Sequence, residues 1–397
     1  MHVGGHHHAR VGLSEPLRRI LIIGGTSDLS RRHLFPALTR LLANGELPEG
    51  FAVALTGLEP ISVEGCRELI AGELARHGPN LPSEARQSLT ERISYLQADV
   101  RNPDALRPIT AAEPSLIYVA TPPATVPAAV DAIGLAGLHR SARLVLDKPF
   151  GLSRSSAQAL NAQVLGLVAE SQVYRIDHFL YHHTVQELVR RRVESDPLTL
   201  VDVLPLAEVE IRWDETRTAP PAGDAGVMRD MIQSHLLQLA AVITMDSPAS
   251  ITRADLARNR LEALRRLTRA EAGRDTPEDP ETSATLAVRS EMPRWRGVRF
   301  VLRAAKGVDT SRRHVEFRLI EQPGSTSPGF VRLEVLAGRL VIRAAGADAS
   351  LEVAISSDTE SASTRLLRAA LVGDDTFTLS ADEPAEAWRI VEQEADA

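Results

Sequence analysis

The chain has 397 residues, of which 44% are hydrophobic and 24% charged, values that fit a globular protein and exclude a disordered or fibrous one. A net charge of -7 excludes the broad cationic field that nucleic acid or an anionic membrane surface requires, and no apolar run reaches the ~18–20 residues that span a bilayer. The single cysteine, Cys66, cannot form an internal disulfide, so the expectation is a cytoplasmic protein of two or three domains with no nucleic-acid and no membrane partner.

Residues 1–17, which contain GGHHHAR, carry no periodic pattern and read as a flexible leader whose three histidines form a solvated tail. From Arg18 the pattern sharpens. RRILIIGG is a short apolar run ending in glycines, and SRRHLFPALTRLLANG places Leu34, Leu38, Leu41 and Leu42 on one helical face, so the order is strand, tight turn, helix. The turn itself, GGTSDLS, points backbone N–H groups and the positive end of a helix dipole toward one place, which suits a pyrophosphate. Gly24, Gly25, Thr26, Ser27, Asp28 and Leu29 are therefore candidate nucleotide-binding residues. The motif is weak, because Ser27 stands where a third close-approach glycine is usual; a helix start capped by Thr26 or Asp28 is the alternative.

FAVALTG ends a second strand, and TGLEP follows it. With no arginine nearby, Glu59 suits a ribose diol and repels a 2′-phosphate, which leans toward NAD over NADP. A helix over 63–77, the strand SLIYVAT, a helix over 125–138 and the strand RLVLDKP come next. YVATPP brings Ala120, Thr121 and Pro122 to a strand end that should line the same crevice. The alternation predicts a parallel sheet covered on both faces, an α/β Rossmann-type domain over residues 18–177. Beyond it, LAEVEIRW, VRFVLRAA, HVEFRLIE, FVRLEVLAGRLVIRA and SLEVAIS show period-two stretches, interrupted by helices expected over 226–245 and 254–272. They predict an α+β domain over residues 178–397 with a large antiparallel sheet; GRDTPEDPETS, residues 273–283, reads as an exposed loop.

Two positions stand out by composition. Of 45 lysines and arginines only Lys148 and Lys306 are lysines, and a compact ammonium is not interchangeable with a guanidinium where one donor must point at one atom; chance survival is the alternative. YRIDHFLYHH sets Asp177 beside His178, with His182 four residues on. RDMIQSH sets His235 among Ile232, Leu236 and Leu239, so its side chain faces inward, where a lone histidine is more often a satisfied core group. The vicinal His182 and His183 raise the question of a metal, but vicinal side chains seldom converge on one ion and no cysteine or carboxylate cluster accompanies them; no metal is expected.

Several ordered segments, together spanning roughly Arg18 to Val391, resemble glucose-6-phosphate dehydrogenases: GGTSDLSRRHLFPAL, YVATPP, DKPFG, RIDHFL, RDMIQSH, RWRGVRFVLRAAK and DEPAEAWRIV. The resemblance implies that Asp177 pairs with His235 as general base, a role that needs a pKa near neutrality and an orienting carboxylate. It implies that His178 and His182 meet a substrate phosphate, that Lys148 lies by both cofactor and substrate, and that Lys306, Glu215 and Asp224 contact the sugar; a helix cap is the alternative for Asp224. The implied activity is an NAD(P)-dependent dehydrogenase oxidising an aldose or aldose phosphate at C1 to a lactone, with NAD slightly favoured and a homodimer expected. A sugar epimerase or dehydratase working through transient oxidation by tightly bound NAD, and a non-catalytic regulatory paralogue, are the competing readings. The departures cluster at the substrate end: Phe179 replaces a tyrosine, Tyr181 a glycine, His182 a lysine, and Ala304-Ala305 a Thr-Gly, while RTAPPAGDAG is shortened.

Overall fold

The computed structural model describes residues 17–111, 113–193, 204–216, 226–270, 282–320, 329–336, 339–346, 349–357 and 360–393. β1 (Arg19–Ile23) is buried along its whole length, as a continuous Ile/Leu run in a sheet covered on both faces must be. A π-helical turn, Ser30–Leu34, runs into α1 (Phe35–Ala43). There follow β2 (Ala52–Gly57), α2 (Val63–His77), α3 (Ser83–Glu91), β3 (Ile93–Gln97), α4 (Pro103–Thr110), β4 (Leu116–Val119), α5 (Val126–Ala136), β5 (Arg143–Asp147), α6 (Arg154–Leu165) and β6 (Val173–Ile176). The six strands form one sheet in the order β3-β2-β1-β4-β5-β6, with β1 parallel to β2 and β4. That is the doubly wound, Rossmann-type order.

α7 (His183–Val193) and β7 (Leu206–Thr216) lead to a nine-residue π-helix, Met228–Leu236, continued by α8 (Leu237–Thr244) and α9 (Arg253–Arg265). The strands β8 (Leu267–Ala270), β9 (Ser283–Ser290), β10 (Arg299–Val308), β11 (Arg313–Leu319), β12 (Phe330–Leu336), β13 (Arg339–Gly346) and β14 (Ala349–Ser357) precede α10 (Ala362–Val372) and α11 (Glu383–Glu392). The second sheet runs β14-β13-β12-β11-β7-β10-β9-β8. Its neighbouring strands run antiparallel except β7 and β10, which run parallel, so the α+β half is mixed at one pair. Period two sorts β7: Val209, Ile211 and Trp213 are buried apolar residues, while Glu208 and Glu210 alternate with them and join cross-strand ion pairs. Burial works against charge on Glu210, but His314, Arg318 and Arg303 prevail and hold it down at about 2.

Two expectations need correction. The helix expected over 254–272 stops at Arg265, because Leu267 to Ala270 instead pair antiparallel with β9 and bury Leu267 and Ala270 at the sheet edge. The loop expected over 273–283 lies outside the described residues up to Glu281, and Ser283 already belongs to β9. The expected leader also lies outside the described residues except Leu17, which is buried.

The chain divides into two compact units, one of Met1–Thr121, Ala128–Val145 and Thr364–Asp375, the other of Pro122–Pro127, Leu146–Ser363 and Thr376–Ala397. Asp177, where the sequence reading divides the chain, lies within the second. In the first, Arg143 donates to the carbonyls of Ala370 and Leu371, at 2.8 and 2.7 Å, and so closes the end of α10. In the second, the Trp388 indole donates to the Phe150 carbonyl at 3.1 Å and anchors α11 beside the residues that follow β5. No described helix is long and apolar enough to cross a membrane.

Gly24 turns the chain after β1 with φ +84°, and a Cβ there would lie 2.7 Å from the Ala120 carbonyl oxygen. Gly45 has φ +71° but open space around it. Gly24→Ala should therefore cost the left-handed strain plus a clash, about 1–3 kcal/mol in all, and clearly more than Gly45→Ala. Urea denaturation of the two variants checks this; equal losses would refute the close approach at Gly24.

Candidate active site

The turn after β1 is fastened to its neighbours within the first unit. Gly24 and Gly25 both donate their N–H to the Thr56 carbonyl, at 3.1 and 2.7 Å, and a Cβ on Gly25 would meet Leu55 at 2.7 Å. Here the glycines serve close approach, while their own amide donors are spent on β2. The cap also differs from expectation: Ser27, rather than Thr26 or Asp28, accepts the Ser30 N–H through its side chain at 3.3 Å. Asp28 instead pairs with Arg32 at 2.7 Å, and the half-buried Leu29 starts the π turn. Thr26 donates to the Glu59 carboxylate at 2.8 Å, and the Tyr95 hydroxyl donates to the Glu59 carbonyl at 2.8 Å, so the acid after β2 is tied to the glycine turn. Ala120 is buried, its N–H donating to the Ile23 carbonyl at 2.8 Å, and Thr121 borders the space over Gly24. Pro122 is exposed and accepts the Thr125 N–H through its carbonyl.

The second unit holds the other candidates. Lys148 and Asp177 follow the carboxyl ends of β5 and β6, and the Lys148 N–H donates to the Ile176 carbonyl at 3.2 Å. Asp177 is 1% exposed, and one of its oxygens accepts the Phe179 N–H at 3.0 Å while lying 2.5 Å from His235 Nδ1. His235 is equally buried, with the edge of His178 at 4.5 Å and the face of Phe179 stacked on it at 3.9 Å. His182 packs edge-on against Phe179 and Trp213. Asp224 lies outside the described residues.

One acid gathers the two lysines. Asp230 accepts Lys148 Nζ at 2.5 Å on one carboxylate oxygen and Lys306 Nζ at 2.5 Å on the other, and its backbone carbonyl takes a further bond from Lys148 at 3.1 Å. Glu215 lies 3.4 Å from Lys306. Lys306 sits where β10 slips against β7 between Ala305 and Val308, beside Gly307 at φ +74°, an irregularity that re-aims a strand residue. Sequence reasoning passed over Asp230 although it stands in the quoted segment RDMIQSH. The available signal was an acid on the same helix as His235, but five residues apart on an α-helix is about 140° around the axis. The observed π-helix, with i→i+5 closure such as Leu237 N–H to the Ile232 carbonyl, sets residues five apart one turn above each other.

The electrostatics follow from burial. Desolvation pushes the Asp177 carboxyl above its ordinary value, against the opposing pull of His178 and the Phe179 N–H. Desolvation, helped by Lys148, pushes His235 well below the usual histidine value; desolvation and His235 do the same to His178. Burial also works against charge on Asp230, yet the two lysines outweigh it and hold the acid at about 2. An imidazole bonded through Nδ1 to a carboxylate has the chemistry a general base needs, and the four-charge cluster beside it can orient hydroxyl groups. Asp177, His178 and His235 also offer metal-ligating atoms within 4.8 Å of one another.

Comparison with known proteins gives a consistent answer. Residues 21–187 match the family model described as glucose-6-phosphate dehydrogenase, NAD binding domain, and residues 223–276 match that of the C-terminal domain. Glucose-6-phosphate 1-dehydrogenase of Mycolicibacterium smegmatis is 30% identical, over 93% of this chain and 88% of the relative. The enzyme of the same name from Zymomonas mobilis is 27% identical, over 79% of this chain and 73% of the relative. The crystal structure of glucose-6-phosphate 1-dehydrogenase from Mycobacterium avium superimposes with a TM-score of 0.79 at 28% identity, covering 95% of this chain and 91% of that one.

Asp230 yields a prediction with a definite sign. Its folded pKa of about 2 lies below the ordinary 3.8, so the stability it contributes is present above pH ~4 and is lost as pH falls toward 2. Asp230→Asn should be less stable than the parent near neutrality by on the order of 2 kcal/mol, with the gap closing between pH 4 and 2. Denaturation at several pH values reads it; a gap independent of pH would refute the clamp.

Proposed function

The chain belongs to the glucose-6-phosphate dehydrogenase family, and from that premise we propose that it oxidises an aldose phosphate or aldose at C1 to the lactone, with His235 as general base and Asp177 as its orienting partner. It is an NAD(P)-dependent oxidoreductase of CH–OH donors. Bound NAD(P)+ supplies the hydride acceptor. Gly24 and Gly25 let the chain pack directly on Ala120 and Leu55, and so make the tight strand-to-helix turn that suits such a group. Gly24 to Leu29, with Ala120 and Thr121, would hold it, and the helix start after Ser27 would face the pyrophosphate. Glu59, steadied by Thr26, favours a free ribose diol, which supports NAD over NADP.

The chain's own residues account for the proton. His235 Nδ1–H donates to Asp177, which fixes the tautomer and leaves Nε2 to take the C1 hydroxyl proton as the C1–H pair departs as hydride and the C–O bond becomes a carbonyl. The imidazolium so formed is stabilised by the carboxylate it already touches. Lys148, Asp230, Lys306 and Glu215 form a chain of alternating charge suited to sugar hydroxyls. His178 and His182 receive the substituent at the far end, where a phosphate meets imidazoles rather than a permanent cation.

The buried 2.5 Å contact between His235 and Asp177 carries this reading. His235→Asn should lower turnover of glucose 6-phosphate by about 10²–10⁴-fold with substrate binding little changed. Because burial pushes His235 below 6.5 and the base must be unprotonated, kcat/KM should stay level as pH falls through 6.5 and decline only further down. Initial rates from the absorbance of the reduced nucleotide, with NAD and NADP in parallel across a panel of sugars and sugar phosphates, test both points and the nucleotide preference. Near-normal turnover in His235→Asn would reject the base.

A further inference from the structure

We propose that Phe179 is a positioning residue for the base, its aromatic face being the surface against which the His235 imidazolium forms. The inference rests on His235 being the base, and its support is geometric. The two rings lie 3.9 Å apart between centroids and 6° from parallel, an arrangement set by constraint from several sides. Asp177 Oδ1 accepts the Phe179 N–H and also contacts His235 Nδ1, so a single oxygen holds the backbone of one ring and the edge of the other. Trp213 backs Phe179 at 4.4 Å, and both Phe179 and His235 are almost wholly shielded from solvent.

The chemical consequence follows from where charge appears. A neutral imidazole gains only dispersion from a stacked benzene ring, whereas an imidazolium is drawn to the negative face of the ring's quadrupole. An interaction stronger in the transition state than in the ground state raises turnover rather than affinity. His235 needs such help, because water is excluded and several neighbours resist its charge: Lys148, His182 and Lys306 oppose the imidazolium, and Asp230 favours it. Asp177 meets the ring at its edge, and Phe179 covers one face.

A graded replacement separates this role from packing. The full-length chain would carry 4-fluoro-, 3,5-difluoro- or pentafluorophenylalanine at position 179, which nearly keep the ring's shape while withdrawing charge from its face. With glucose 6-phosphate and NAD+ or NADP+ as probes, kcat should fall stepwise, by about three- to thirtyfold at full fluorination, while KM changes little. The His235 NMR titration in histidine-labelled protein, assigned by its loss in His235→Asn, should move to lower pH along the series, and Phe179→Tyr should stay close to the parent. A kcat indifferent to fluorination, or an effect confined to KM, would overturn the proposal while His235→Asn remained inactive. Turnover persisting in His235→Asn would instead overturn the base itself, and this inference with it.

Discussion

The arrangement of this protein's polar interior depends on one short hydrogen bond, between a carboxylate and an imidazole that are both almost completely buried. Either group alone would be costly: an uncompensated buried charge is paid for in lost hydration, and an unpaired imidazole in an unsatisfied donor. Together they form a unit only if two distant pieces of chain are fixed in register. Asp177 lies where β6 ends and the next turn begins, its other duty being to accept the Phe179 N–H. His235 lies on a helix wound in the π manner, every residue of which is buried from Met231 to Leu236.

The same helix explains why the charges beside His235 form a cluster rather than a scatter. Its widened turn brings Asp230 to the side that carries His235, and Asp230 then collects one lysine from the residues after β5 and another from the irregular stretch of β10. With Glu215 the group has two cations and two anions in a partly buried space. Such a set leaves little net field but many directed donors and acceptors, which suits recognition of hydroxyl groups by geometry.

Much of this could be read from residues alone. The run of Ile and Leu ending in glycines identified β1 and its turn, period two identified most of the second sheet, and the family resemblance carried by RIDHFL and RDMIQSH implied the pairing of Asp177 with His235. What escaped had physical reasons. β3 and β8 are edge strands whose short, mixed sequences ISYLQ and LTRA gain their form from pairing with β2 and β9. Asp230 escaped because α-helical spacing would have turned it away from His235, and the π-helix has no pattern to betray it in advance. The cap on the first helix escaped because Thr26, Ser27 and Asp28 are all competent, and only the Thr26–Glu59 and Asp28–Arg32 contacts decide among them.

The scarcity of lysine has an experimental corollary. In a chain with 45 lysines and arginines, an amine-selective reagent finds only two side-chain ammonium groups, and both are held by the same carboxylate. Acylation chemistry, normally spread over a whole protein surface, becomes here a local reporter. Apart from the chain's own amino terminus, any change in labelling rate describes the electrostatics around Asp230.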